Sequence, residues 1–322
     1  MDKITPEFYD ANLTATDATW PDDPNVPDMP PIPPTDQLPF PHDNWLNTHC
    51  WDGLHDPIKP LDPPRTINEQ PVSEVNPLKA DVIWSMRSPY CLLALQRLIW
   101  LNSNYNVDMR FRIILPQAVR QSKGGEGVAG GPFSLDYKLT HTMYDCQRTA
   151  GFEGLPYKWP SPDPIWQTIH PPHGENWQFV HPPEKQPYIF WLVRLACYCD
   201  LKGKSADYQN EIHRLIWSGQ VEHWPDHVKE YVNRIDGVDY DEAIQFIQEN
   251  PGEVDAVWQE NSAFQAQTGH GGVPLMIYNG EPFFGQDRVY QFVGRLMQNG
   301  LTKRKEPRAP FTTEPKTWPA GW

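Results

Sequence analysis

The residues best placed to do chemistry are Ser88 and Cys91, a hydroxyl and a thiol three positions apart in Arg87-Ser88-Pro89-Tyr90-Cys91. They fall where a short apolar strand pattern, Asp81-Val-Ile-Trp84, gives way to a run ending at Trp100 whose apolar positions recur at three and four. Pro89 suits the first helical position, where its missing N–H is no loss, and Ser88 suits the cap before it. A polar side chain at that point faces unpaired amides and the positive end of a helix, where an anion or a thiolate can be held. A serine there can equally be a cap and nothing more. The other thiols point elsewhere. Five cysteines, at 50, 91, 146, 197 and 199, are an odd number and a poor disulfide framework, which fits a reducing compartment. Cys197-Tyr-Cys199 has the wrong span for a zinc knuckle and closes the apolar run Tyr188–Cys197, so core packing is expected. The eleven histidines form no HExxH pattern, and no metal site is expected.

The rest of the chain must position that turn. With 322 residues, 39% apolar, 21% charged and 14 tryptophans, it is long enough to bury a substantial core. A net charge of -14 argues against nucleic-acid binding, since no Lys/Arg surplus is available to displace counterions from phosphate. No window of about 18 apolar residues is present, so no membrane span is expected. The amino terminus lacks the basic start and apolar core of a signal peptide, and a cytoplasmic location is the expectation.

Residues 1–80 differ in composition from the remainder of the chain. They hold 16 prolines and 14 acidic against 4 basic residues, carrying -10 of the total charge. Pro21-Asp-Asp-Pro24 and Pro30-Pro-Ile-Pro-Pro34 exclude helix interior and central strand. Trp20, Phe40, Trp45, Trp51 and Leu54 nonetheless suggest an irregular arm wrapped over the domain or a partner subunit, with a disordered leader as the alternative.

From residue 81 the spacing predicts a strand over Asp81–Trp84, a helix over Tyr90–Leu101 and a strand from Val107 to Pro116 that alternates through Val107, Met109, Phe111 and Ile113. A β-α-β unit with a crossover helix implies a parallel pair. A glycine-rich stretch, 124–131, reads as a loop. Residues 135–268 read as mostly helical, with helices over 138–150, 188–200, 205–218, 226–234, 239–248 and 252–267 and a break at Ile235-Asp-Gly237. Asn279-Gly280, between Gly271–Tyr278 and Glu281–Phe284, signals a hairpin with a type I′ turn. Beyond the hairpin a last helix is expected, with Val289, Phe292, Val293 and Leu296 on its core face, and the tail beyond Gly300 is expected to fold back or fray.

Ser85-Met-Arg-Ser-Pro-Tyr90 before an apolar helix, Arg110-Phe-Arg-Ile-Ile-Leu-Pro116, Lys138 with Asp145 and Arg148, Gly272-Val-Pro274, and Asn279-Gly-Glu-Pro-Phe-Phe-Gly-Gln-Asp-Arg288 occur in that order. Together they resemble the 2-hydroxychromene-2-carboxylate isomerases and kappa-class glutathione transferases, in the DsbA-like branch of the thioredoxin superfamily. The resemblance spans about 81 to 297. It implies an α/β fold with a thioredoxin-like sheet domain (81–120 and 270–300) and a large inserted helical domain (121–269); composition sets apart a proline-rich amino-terminal arm (1–80), which has no counterpart in the family, and a carboxyl-terminal tail (301–322).

What the resemblance implies for function is specific. Ser88 would donate to the sulfur of glutathione, the implied cofactor, and hold it as thiolate. Val273 and Pro274 match the cis-proline loop that pairs with the tripeptide like an added strand. Gln286, Asp287 and Arg288 would take the γ-glutamyl end, although Arg288 could instead serve an internal salt bridge. Lys138 resembles a lysine near the glycyl end or the substrate carboxylate. Trp84, Tyr90, His141, Trp159 and Trp166 are the expected walls for a small organic, aromatic substrate, and a homodimer is the family expectation. Departures are visible too. Ser88-Pro-Tyr-Cys91 stands where dithiol oxidoreductases carry Cys-x-x-Cys, so the attacking thiol is missing and Cys91 holds either a resolving position or a packing one. Gly130-Gly-Pro-Phe-Ser134 replaces a Pro-x-x-Asn-type contact, and His141 stands where an aromatic residue is expected. The leading expectation is a glutathione-dependent isomerase acting on an aromatic or unsaturated carboxylic compound. A kappa-like transferase, a thiol-disulfide oxidoreductase using Cys91, and a non-catalytic binding protein are the alternatives.

Overall fold

The computed structural model describes residues 24–30, 71–116, 119, 128–129, 135–169, 177–180, 186–308 and 314–318. The central sheet has four strands in the order β2 (Val107–Ile113), β1 (Leu78–Trp84), β6 (Leu275–Tyr278) and β7 (Glu281–Phe284), with Val128–Ala129 (β3), Gln167–Ile169 (β4) and Trp177–Val180 (β5) in a second, smaller sheet. β1 (Leu78–Trp84) runs parallel to β2 (Val107–Ile113), in register from Leu78 opposite Val107 to Trp84 opposite Ile113. On its other side β1 pairs antiparallel with β6 (Leu275–Tyr278), Ile83 facing Leu275, and β6 forms a hairpin with β7 (Glu281–Phe284). Strand β2 alternates as expected, burying Val107, Met109, Phe111 and Ile113. Asn279 and Gly280 take φ of 50° and 81°, the two positive angles that the hairpin turn requires.

The crossover from β1 to β2 is α1 (Pro89–Asn104), with Pro89 at its first turn and Ser88 as its cap. Leu93, Leu98, Ile99 and Leu101 on it are fully buried, which ties the helix to the sheet along its length. After the hairpin, the last helix (Val289–Gln298) buries Val289, Phe292, Val293 and Leu296, the face its spacing predicts. Within the first sheet the strand expected at Asp81 starts earlier, at Leu78, and the second ends earlier, at Ile113, where its partner β1 ends at Trp84 and the Ile114 amide makes the last bond, to the Trp84 carbonyl at 2.9 Å.

The inserted block contains α2 (Leu135–Glu153), α3 (Pro187–Leu201), α4 (Ser205–Tyr208), α5 (Arg214–Trp217), α6 (Val228–Val232), α7 (Tyr240–Glu249) and α8 (Pro251–Gln267). It is not wholly helical. Gln167–Ile169 and Trp177–Val180 pair antiparallel, and Val128–Ala129, the described part of the glycine stretch, completes a three-stranded sheet. These strands are two to four residues long, too short to show a period of two, and sequence spacing alone misses them. The helix expected over 205–218 is interrupted by a π-turn, Gln209–His213, and the one expected from 226 opens as a 3-10 turn, Trp224–His227.

The described part of the arm docks on this helical block. Arg194 Nη1 donates to the Pro30 carbonyl at 2.6 Å, Gln248 to that of Asp28 and Asn25 to Asp226, while Val26 and Met29 pack against the core. Trp20, Phe40, Trp45, Trp51 and Leu54 lie outside the described residues, as does Cys50. The described tail folds back: the Arg304 amide bonds the Asn104 carbonyl, and Trp318 is buried with its ring 5.8 Å from that of Tyr105. Among the described residues no helix is long and apolar enough to cross a membrane.

Candidate functional site

β1 ends at Trp84 and the antiparallel β6 begins at Leu275, so the turn after β1 and the loop before β6 meet at one end of the sheet. Ser88 and the Val273–Pro274 pair lie on those two segments. The 85–88 turn closes with the Ser88 amide donating to the Ser85 carbonyl at 3.1 Å. Ser88 is partly exposed, and its side chain engages the first turn of α1: Oγ accepts from the Cys91 amide at 3.4 Å, a long cap bond, and the hydroxyl also faces the Cys91 thiol. The first turn of α1 has no acidic side chain to offset the positive end of the helix.

Three contacts fix this turn. Trp217 Nε1 donates to the Met86 carbonyl at 2.8 Å. Trp84 Nε1 donates to His213 Nδ1 at 3.0 Å, so the neutral imidazole carries its proton on Nε2. Burial depresses His213 to about 3, the Ser88 carbonyl opposing this only in part, and among the described residues Nε2 makes no hydrogen bond of good geometry. The ring therefore stays uncharged beneath the turn. From the side, Arg87 Nε donates to Asp163 Oδ1 at 2.6 Å, and its guanidinium stands 4.5 Å from the Trp159 ring centroid. His213, Trp217 and Asp163 are the residues that sequence reasoning missed. The π-turn that supplies His213 leaves no pattern in residue spacing. Asp163 sits in Ser161-Pro-Asp-Pro, inside the loop that carries Trp159 and Trp166, and had the clearest local signal of the three.

The facing wall comes from the loop before β6 and the turn after β7. Val273–Pro274 is a cis peptide, and the Pro274 carbonyl accepts from the Gly285 amide at 2.9 Å. Among the described residues nothing pairs with the Val273 backbone N–H or C=O, which leaves that short edge open to an added strand. A Cβ on Gly272 would run into the Phe284 ring, so only glycine fits beside this loop. Gln286 Oε1 accepts from Arg97 Nη2 of α1 at 2.5 Å, which locks the 3-10 turn Gln286–Arg288 to the helix that begins at Ser88. Asp287 and Arg288 are exposed and pair with each other at 2.7 Å, the internal salt bridge foreseen as one role for Arg288.

The structure thus brings Ser88, Val273, Pro274, Gln286, Asp287 and Arg288 to one end of the sheet. The expected substrate walls fare differently. Trp84 is fully buried between Phe111 and His213, so it supports the turn from behind and presents no face to a substrate. Trp159 is 6% exposed, packed edge-on against Trp217 under the Arg87 guanidinium, and is likewise a support. Trp166 is partly buried, its backbone held at both N–H and C=O by the Gln186 side chain. Tyr90 remains beside the site: its hydroxyl donates to Asp145 Oδ2 at 3.0 Å, and burial raises it above the usual tyrosine value, with Cys146 and Asp145 adding to the effect. Lys138 and His141 lie on α2, which packs against α1, and their side chains are outside the described residues. Cys91 is fully enclosed, and burial pushes its thiol up to about 12. Among the described residues no group of three or more His, Cys, Asp or Glu is arranged to hold a metal ion.

Residues 81–297 match the DSBA-like thioredoxin domain. Among solved structures, a 2-hydroxychromene-2-carboxylate isomerase is 20% identical with a TM-score of 0.48, over 69% of this chain and 97% of that one. A probable DsbA oxidoreductase from Streptomyces coelicolor is 14% identical with a TM-score of 0.45, over 69% and 89%. The cytosolic disulfide reductase DsbM from Pseudomonas aeruginosa is 13% identical with a TM-score of 0.40, over 69% and 99%. No match is found among curated protein sequences. The chain belongs to the DSBA-like thioredoxin domain family.

Proposed function

We propose that this member of the DSBA-like family is a glutathione-dependent enzyme in which Ser88 holds the cofactor sulfur as a thiolate, and that it acts as an isomerase on an aromatic or unsaturated carboxylic compound. The observation that carries the reading is the contrast at the start of α1. A part-exposed hydroxyl caps the helix, while the one thiol of that turn, Cys91, is sealed in the core with its pKa pushed up to about 12. A thiol in that state has almost no nucleophilic thiolate at neutral pH, which argues against disulfide exchange through Cys91.

The residues fit the proposed cofactor on physical grounds. Ser88 supplies a donor at the positive end of α1, which favours a sulfur anion over the thiol. The open Val273 backbone edge can pair with a peptide, and the Asp287 carboxylate can accept from an ammonium group. Bound glutathione would supply a nucleophilic sulfur for an electrophilic carbon. Isomerase is favoured over transferase by the Arg87-Ser-Pro-Tyr90 string and its resemblance.

The test is a calorimetric titration of the protein with reduced glutathione, with thiolate absorbance followed across pH. Saturable binding and a thiol pKa below the free value of about 8.5 are expected, and Ser88→Ala should return that pKa towards the free value. Absence of binding, or an unchanged thiolate in Ser88→Ala, would overturn the assignment.

A further inference from the structure

We infer that a second ligand site lies further along α1, a pocket walled by Leu92, Leu95, Leu155 and Pro156 in which Arg214 is the one charged lining residue among those described, suited to a short-chain monocarboxylate. The pocket has a volume of about 70 Å3, and Gln96, Ser218 and Gln220 stand on its polar side. Nothing in the proposed glutathione reading uses these residues.

The argument begins with the arginine. Elsewhere the buried or partly buried guanidiniums have polar partners: Arg87 has Asp163, Arg112 has Asp81, Arg194 has Asp255, Arg295 has Glu281, and Arg97, which lacks a carboxylate, donates to the Leu93 carbonyl and Gln286. The Arg214 side chain makes neither a hydrogen bond nor an ion pair among the described residues. It is partly buried, and desolvation weakens its hold on its proton with only Glu211 acting the other way. Glu211 is engaged elsewhere, accepting from Asn210 Nδ2 at 3.0 Å and facing Arg234 at 3.9 Å. A cation removed from water without a counter-charge is unfavourable, and a bound anion relieves it.

The walls define the anion. A guanidinium offers a planar fork that matches a carboxylate with two parallel hydrogen bonds. One positive charge balances one negative charge, which selects a monocarboxylate over a phosphate dianion. Four apolar residues would cover a hydrocarbon body rather than a hydrated one. The volume is roughly half that of the ~150 Å3 apolar cavity that accepts benzene, so a chain of about three or four carbons fits.

Calorimetric titration of the full chain with sodium butyrate, and with butyramide as the uncharged match, tests the inference. Butyrate should bind saturably at one site, butyramide should not, and Arg214→Gln should weaken butyrate at least tenfold. Ser218→Phe, a change at the partly exposed rim, should block the pocket while leaving the arginine, so the test survives if Arg214→Gln fails to fold. Butyrate binding should persist in Ser88→Ala and in the presence of saturating glutathione. Absence of saturable binding, wild-type affinity in both pocket variants, or displacement by glutathione would each overturn the separate site, and none of these outcomes bears on whether Ser88 holds a thiolate.

Discussion

In the helical block, Arg194 is fully enclosed and every side of its guanidinium is used: Asp255 takes bonds at 2.9 and 2.7 Å and the Pro30 carbonyl takes another at 2.6 Å. Asp255 in turn accepts from Trp258 Nε1 at 2.9 Å. At the end of the sheet the polar groups are handled in the opposite way. Among the described residues the part-exposed Ser88 side chain is held only by Cys91, through a long 3.4 Å cap bond and its thiol, the Val273 backbone has no partner, and Asp287 and Arg288 meet in the open. A saturated buried network holds one conformation and offers nothing to a ligand. Loosely engaged donors and acceptors on rigid elements contribute little to stability and remain available for binding.

The largest effect is expected where saturation is greatest. Asp255→Ala leaves a buried guanidinium without its carboxylate and removes the acceptor for Trp258, and removing one partner of a buried ion pair costs about 3–5 kcal/mol. Urea denaturation should show a loss of that order, with glutathione affinity per folded molecule unchanged. A loss below about 1 kcal/mol would mean that the arm and the helical block are held by apolar contacts such as Val26 and Met29 instead.

His213 joins the two regions, since it is carried by the helical block and supports the Ser88 turn. Its imidazole is neutral in the folded chain, pushed down to about 3, whereas in the unfolded chain it takes a proton near 6.5. Its contribution is therefore complete above about pH 6.5 and is lost as the pH falls from there towards about 3, by up to about 1.4 kcal/mol per pH unit. Unfolding midpoints at pH 7 and pH 5 should differ accordingly. In His213→Gln, whose amide oxygen can still accept from Trp84, overall stability should fall while this part of the pH slope disappears. An unchanged slope would assign the acid sensitivity to other groups.

Much of the sheet end was legible in the sequence because it is built from local signals. Ser88 and Pro89 announce a helix start, Asn279-Gly280 a hairpin, and the alternation from Val107 to Ile113 a half-buried strand, and each is set by backbone geometry within a few residues. The site's supports were not legible. Trp84, Tyr90 and Trp159 look alike in sequence, yet burial separates them: Trp84 and Trp159 face inward to His213 and Trp217, residues more than fifty positions away. Which aromatic residue lines a cleft and which props it up is decided by tertiary packing, and no local pattern records that.

The smallest stability effect, and the sharpest separation of the two regions, is expected at Asp287. Its ion pair with Arg288 is exposed, and pairs of that kind contribute about 0–1 kcal/mol. Asp287→Asn keeps the shape of the side chain, which sits where Gly285, at φ of 102°, has no Cβ to obstruct it. The midpoint of urea unfolding should therefore move by less than the equivalent of about 0.5 kcal/mol. Glutathione affinity should fall about tenfold or more, because a charge-assisted hydrogen bond of about 1.5–3 kcal/mol would become a neutral one. If stability dropped while affinity held, Asp287 would belong with Asp255 as a structural carboxylate, and the division between the saturated Arg194 network and an open sheet end would have to be redrawn at this turn.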